Sequence, residues 1–152
     1  MNSAVKWHKR FLNMCDNISM WSKDRSTKTG CVIVKDRRVL TTGFNGFCPG
    51  VQDDIDDRHQ RPAKYFYTEH CDRNAIYQAA RFGISLDGAT MYLTGPPCHD
   101  CARGIIMAGI KTVIWPEQNS FETNPDTAER WKESVKYSLE MLSEAKVGIE
   151  RI

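Results

Sequence analysis

His70-Cys71-Asp72-Arg73-Asn74-Ala75-Ile76 and, further along, Pro97-Cys98-His99-Asp100-Cys101-Ala102 decide how this chain is read. Each marks a helix start. The first continues through Tyr77-Gln78-Ala79-Ala80-Arg81, a helix-forming run, to a stop at Gly83. The second reads as a helix from Cys98 to Ala108, with Pro97 just ahead and Gly109 just after. One histidine and a C-x-x-C pair make three ligands, which leaves the fourth position of a tetrahedral zinc open to water. Helix N-termini carry partial positive charge and free N–H groups, so Cys98 and Cys101 are favoured as thiolates. Asp72 places a carboxylate two residues from His70, close to such a metal.

Two other readings of these residues stay open. A closed structural knot would use His70, Cys71, Cys98 and Cys101. Neighbouring helical residues point about 100° apart, which weighs against Cys71 joining His70 on one ion. Alternatively, some of the six cysteines form disulfides. The irregular scatter of Cys15, Cys31, Cys48 and Cys71, with no signal-peptide pattern, argues instead for buried thiols in a reducing, cytoplasmic compartment.

Working outward, helical and strand patterns alternate. Trp7, Phe11, Met14, Ile18 and Trp21 form the apolar stripe of a helix over 4–21. Cys31-Val32-Ile33-Val34 and Val39-Leu40-Thr41-Thr42 flank Lys35-Asp36-Arg37-Arg38 as a hairpin. A long loop over 46–68 leads to the His70 helix. Strands follow at 90–93 and 111–115 on either side of the Cys98 helix. A last amphipathic helix carries Trp131, Val135, Leu139 and Leu142, and 147–152 closes as a short edge strand. This order implies a three-layer α-β-α architecture, and 152 residues suit one domain over 1–152. The 41% hydrophobic and 26% charged content is that of a globular protein. No apolar run approaches the roughly 20 residues that span a bilayer. A net charge of +2 does not call for a nucleic-acid groove.

In this order the segments resemble the cytidine/deoxycytidylate deaminase superfamily, and within it the deoxycytidylate (dCMP) deaminases, from about Trp7 to Ile152. Arg25-Ser26-Thr27-Lys28-Thr29-Gly30-Cys31-Val32-Ile33-Val34 is similar to that family's R-S…T-K-V-G-A-V-I-V opening, and Gly43-Phe44-Asn45-Gly46 to its G-Y-N-G turn. His70 to Ile76 resembles H-A-E-x-N-A-I. Gly88-Ala89-Thr90-Met91-Tyr92-Leu93-Thr94 with Pro97 to Ala102 matches its third strand and zinc turn, and Ala108-Gly109-Ile110-Lys111 its A-G-I-K link.

The resemblance implies a mixed five-stranded sheet between helices and a homo-oligomer, often a hexamer. It implies one catalytic Zn2+ on His70, Cys98 and Cys101, with Asp72 as proton shuttle. The implied reaction is hydrolytic deamination of dCMP to dUMP and ammonia, feeding thymidylate synthesis. Asn45 stands at the turn asparagine that contacts the nucleoside, although Asn-Gly is also simply a favoured turn pair. Arg25, Ser26 and Lys28 are phosphate donors, and Asn74 faces the same mouth. Cys71 meets the pyrimidine through its backbone, and Tyr92 and Thr94 complete the substrate contacts. The segment Arg58-His59-Gln60-Arg61-Pro62-Ala63-Lys64-Tyr65 either closes over a phosphate or is a solvated loop balancing Asp53-Asp54-Ile55-Asp56-Asp57. The turn Gly43, Phe44, Asn45, Gly46 also implies a site for a dCTP activator and a dTTP inhibitor.

Asp72 is the main departure, because the family has Glu there. Its carboxylate is about 1.5 Å shorter in reach, and a misplacement of about 1 Å can cost roughly a hundredfold in rate. Backbone adjustment would restore a working enzyme, an extra water would give a slow one, and neither would leave a nucleotide-binding protein without turnover. Alternative substrates on the same fold are dCTP, a modified dCMP or tRNA adenosine.

Overall fold

Cys31-Val32-Ile33-Val34 is apolar on both faces, so the strand that carries it must be covered on both sides. In the computed structural model, which describes residues 3–152, it forms β1 (Gly30–Lys35), buried at every position except Lys35. β1 turns through Asp36-Arg37 into the antiparallel β2 (Arg38–Phe44). Asp36 and Arg37 have φ of 51° and 61°, the left-handed pair that suits a two-residue hairpin. Next come the short β3 (Gly46–Phe47) and β4 (Thr68–Glu69), paired with each other. β5 (Thr90–Leu93), β6 (Thr112–Trp115) and β7 (Gly148–Arg151) complete a five-stranded mixed sheet of order β2-β1-β5-β6-β7. β5, β6 and β7 run parallel, while β1 is antiparallel to both neighbours.

The first helix, α1 (Ser3–Ser19), covers one face of the sheet. It packs Phe11, Leu12, Cys15 and Ile18 on Val32, Val34, Tyr92 and Ile114. The helix ends at Ser19, so Trp21 falls beyond the stripe predicted for it, 64% exposed and edge-on to Phe44. The other face carries α3 (Cys71–Phe82), α4 (His99–Met107) and α6 (Pro125–Glu144); the four-residue α2 (Lys64–Tyr67) precedes α3, and the four-residue α5 (Ser120–Thr123) precedes α6. Ala75, Ala79, Ala102, Ile105 and Leu142 from these helices meet Cys31, Ile33, Met91, Leu93, Val113 and Trp115. No described helix is long and apolar enough to cross a membrane.

Gly43 sets how closely α3 lies on β2. A Cβ there would stand 2.2 Å from the Cys71 carbonyl oxygen and 2.6 Å from the Ala75 nitrogen, so only glycine lets the two backbones touch. Thr41 Oγ1 donates to Ala75 O, and Asn74 Nδ2 donates to Phe44 O, at 3.1 and 2.7 Å. The His70 end of α3 is thereby fixed to the end of β2.

The 46–68 stretch, predicted as a loop, is folded on itself. The β3–β4 ribbon closes its ends, a 3₁₀ turn occupies Asp56–His59, and Phe47 stacks between His59 (4.8 Å) and Tyr67 (5.4 Å). Such a small aromatic core has no periodic signature in sequence. α5 is too short for one, and its marker is Asn119, whose side chain accepts from Glu122 N–H.

Candidate active site

His70 and Cys98 are the N-cap residues of α3 and α4, both in extended backbone conformation. Cys101 lies in the first turn of α4, so two helix N-termini meet at one point. His70 Nδ1 is 3.4 Å from Cys98 Sγ and 3.5 Å from Cys101 Sγ, and the three ligand atoms lie within 4.8 Å of one another. Ligand lengths of zinc imply a tetrahedral N···S separation of about 3.6 Å. One nitrogen and two sulfurs at this spacing fit zinc, with its fourth position left to a small molecule.

Of the three ligands, only Cys98 is already disposed toward the form that binds a metal, and Cys101, expected as a thiolate, is not. Hydrogen bonds from Cys101 and His70 bring the Cys98 thiol down to about 4 against the effect of burial. Burial pushes the Cys101 thiol up, and it donates to Asp72 Oδ1 at 2.7 Å; that proton must leave for Cys101 to bind a metal. His70 is held above its usual range, its burial outweighed by the Cys98 hydrogen bond and the Asp72 charge. Asp72 is 4% exposed, and burial raises its carboxyl above the usual carboxylate range. Its arm, though shorter than that of Glu, reaches the ligand cluster. Glu69 instead turns to Arg73, 2.6 Å away.

A cavity opens over this cluster. His70, Cys71, Asp72 and Cys98 line its floor, and Thr27, Lys28, Thr29, Asn45, Thr94, Gly95 and Pro96 also line it. Tyr65, Phe121 and Trp131 form an aromatic wall that adjoins Gly95 through Phe121, with Trp131 edge-on to His70 at 5.7 Å between ring centres. Lys28, Arg61, Lys64 and Arg130 add positive charge to the lining. Lys28 and Arg130 are both exposed and make no ion pair or hydrogen bond among the described residues.

The substrate contacts expected from sequence divide into two groups. Cys71, Asn45, Lys28 and Thr94 line the cavity. The Asn45 amide is also spent on backbone, accepting from Thr29 N–H and donating to Thr27 O, both at 2.8 Å, so its turn role and its cavity position coexist. Thr94 Oγ1 accepts from Gly30 N–H at 3.2 Å.

The other residues lie elsewhere. Tyr92 is on the opposite face of the sheet, under α1, with its hydroxyl 2.9 Å from His8 Nδ1. Strand alternation turns it away from the cavity that Leu93 lines. Arg25 is outside the lining and pairs with Asp56 at 2.5 Å. Ser26 accepts from Lys64 Nζ at 2.8 Å and donates to Asp24 at 3.2 Å, supporting the Thr27–Thr29 wall from behind. Asn74 is taken up by Phe44 O. From the basic segment only Arg61, Lys64 and Tyr65 reach the cavity, while Arg58 lies over the Tyr67 ring. The Asp53 and Asp56 side chains of the acidic run pair with Lys23 and Arg25, while His59 of that segment lies with its Nε2 2.6 Å from Asp53 O.

Sequence reading missed Asp24, Phe121 and Arg130 as wall residues, and gave Trp131 only as part of the apolar stripe of the last helix. Trp131 does lie on the inward stripe of α6 with Ser138 and Leu142, both fully buried. Near the start of α6, however, that stripe faces a cavity. Periodicity reports the inward side of a helix and cannot distinguish core from pocket.

Residues 5–117 match the family model for the cytidine and deoxycytidylate deaminase zinc-binding region. An uncharacterised deaminase from the luxG 3′ region of Aliivibrio fischeri is 41% identical over 144 residues, covering 95% of this chain and 92% of that protein. The deoxycytidylate deaminase of Mycobacterium phage D29 is 32% identical over 130 residues, covering 77% of this chain and 99% of that one. The crystal structure of a dCMP deaminase from cyanophage S-TIM5, in complex with dCMP and dUMP, superposes with a TM-score of 0.75 at 24% identity, covering 100% and 99% of the two chains. The mixed five-stranded sheet is shared with that structure.

Proposed function

The chain belongs to the cytidine and deoxycytidylate deaminase family, and we propose that it hydrolyses dCMP to dUMP and ammonia, supplying dUMP for thymidylate synthesis. The observation that carries this reading is one cavity with His70, Cys98, Cys101 and Asp72 at its floor and unpaired cations at Lys28 and Arg130. The aromatic wall offers a planar base a stacking surface, and the cations offer a phosphate charge-assisted partners.

Zinc bound by His70, Cys98 and Cys101 would acidify a water and so supply the nucleophile at neutral pH. Asp72 acts as general acid and base, accepting a proton from the attacking water and passing it to the departing amine. Oxygen is added at C4 of the pyrimidine, the C4–N bond breaks, and ammonia leaves. Burial supports this role, since a carboxylate raised from its usual range takes up the proton of the attacking water more readily. Trp131, Phe121 and Tyr65 exclude bulk water from the floor. The phage relatives, one named a deoxycytidylate deaminase and one crystallised with dCMP and dUMP, favour dCMP over the other substrates and over binding without turnover.

A substrate series tests the reading. dCMP is expected to exceed deoxycytidine at least a hundredfold in kcat/KM, and Lys28→Ala with Arg130→Ala should erase most of that preference while leaving deoxycytidine turnover nearly unchanged. Equal use of dCMP and deoxycytidine by the native protein would overturn it. The proposal extends to a homo-oligomer, a hexamer by resemblance, supported by exposed Tyr77 and Phe82 on α3 and Met107 on α4, the last 87% exposed. Regulation by dCTP and dTTP rests on the resemblance of the Gly43–Gly46 turn alone.

A further inference from the structure

Arg73 is half-buried, in the first turn of α3, and lies outside the cavity lining. Its Nε donates to Glu69 Oε1 at 2.6 Å, and the same oxygen accepts from His70 N–H at 3.2 Å. In the other direction its Nη1 stands 3.5 Å from Asp100 Oδ2, and Asp100 lies between Cys98 and Cys101. The second oxygen of Asp100 is held by Arg103. The stem of Arg73 runs along α4, where a Cβ on Gly104 would sit 3.7 Å from Arg73 Cγ. One guanidinium therefore reaches a carboxylate beside each of the two ligand-bearing segments.

We propose that Arg73 is a positioning residue for the metal centre, tying Glu69 and the His70 backbone to Asp100 in the Cys98–Cys101 turn and so setting how tightly the three ligands hold zinc. The inference rests on the zinc site described above, but not on dCMP being the substrate. Without the tie, α3 and α4 remain joined by Ile76 near Gly104 and by the shared core, so the fold persists. What is lost is the restraint that keeps the histidine nitrogen and the thiol sulfurs at binding distance before the metal arrives. Groups that orient metal ligands from outside typically contribute 10–100-fold to metal affinity.

The test is zinc affinity of the full chain by competition with a chromophoric chelator, with urea unfolding of the metal-free proteins alongside. Arg73→Met is expected to weaken zinc binding 10–100-fold while metal-free stability changes little, and Arg73→Lys to recover part of the loss. Glu69→Gln combined with Asp100→Asn should weaken zinc to a similar degree, and adding Arg73→Met to that pair should cost little more. Cobalt substitution adds a spectroscopic readout, a broadened ligand-field band in Arg73→Met. If Arg73→Met does not fold, the Glu69→Gln, Asp100→Asn protein decides the matter. Affinities within twofold of native in these variants would overturn the proposal, whereas a native protein that binds no zinc would overturn the metal site itself.

Discussion

At the level of single residues, the metal ligands were legible because their spacing is a chemical requirement. A C-x-x-C pair at one helix start and a histidine at another supply three ligands, and the fold brings them within 4.8 Å of one another. Asp72 was legible as a carboxylate, but its reach was not, because reach depends on where α3 begins. Trp131 shows the opposite failure, since its place on an apolar stripe does not separate core from cavity wall. The two placements predict different behaviour. A core tryptophan cut to alanine costs about 3–5 kcal/mol. As a cavity wall touching Tyr65, Phe121 and His70, Trp131→Ala should raise KM for dCMP about tenfold or more and cost less than about 2 kcal/mol in urea unfolding. A large stability loss with unchanged KM would place it in the core instead.

Among the elements, the hairpin, the two ligand helices and the parallel strands were readable from period and punctuation. The 46–69 excursion was not, because its order comes from a stack of three rings and from one ion pair distant in sequence. Lys64 Nζ lies 2.9 Å from Asp24 Oδ2, and both side chains are close to fully buried. Asp24 also accepts from the Ser26 and Thr27 N–H groups. Although burial pushes its carboxyl up, the Thr27 N–H, Lys64 and the Ser26 N–H hold it below the usual carboxylate range. The folded protein therefore binds this proton less readily than the unfolded chain does. The resulting stabilisation is complete above the unfolded value of about 3.9 and is lost as pH falls through the lower folded value. Asp24→Asn should cost about 1–3 kcal/mol at neutral pH, and the gap between variant and native should narrow in urea titrations below pH 4. A gap that stays constant down to pH 2 would contradict this account of the Asp24–Lys64 tie.

For the molecule as a whole, alternating helices and strands were enough to predict the layered sheet. They could not predict which loops converge on the ligand helices. The cavity draws on the segment before β1, on α2 and on the start of α6, which are far apart in sequence and meet only once the sheet is built. Outward-facing aromatic and methionine side chains on α3 and α4 carry the assembly proposal. Sedimentation equilibrium should give a mass several times that of one chain, sixfold for a hexamer. Replacing Tyr77, Phe82 and Met107 with Glu should lower it. A native monomer at micromolar concentration would contradict the assembly.

The central claim is that this cavity deaminates dCMP with Asp72 moving the proton. Its most direct test follows the conversion of dCMP to dUMP by ultraviolet absorbance, with zinc-loaded native protein and zinc-loaded Asp72→Asn side by side. The account predicts turnover by the native protein and a loss of about 10²–10⁴-fold in kcat for Asp72→Asn, with zinc content unchanged. A native protein that binds zinc and dCMP without forming dUMP, or an Asp72→Asn protein as fast as native, would contradict it.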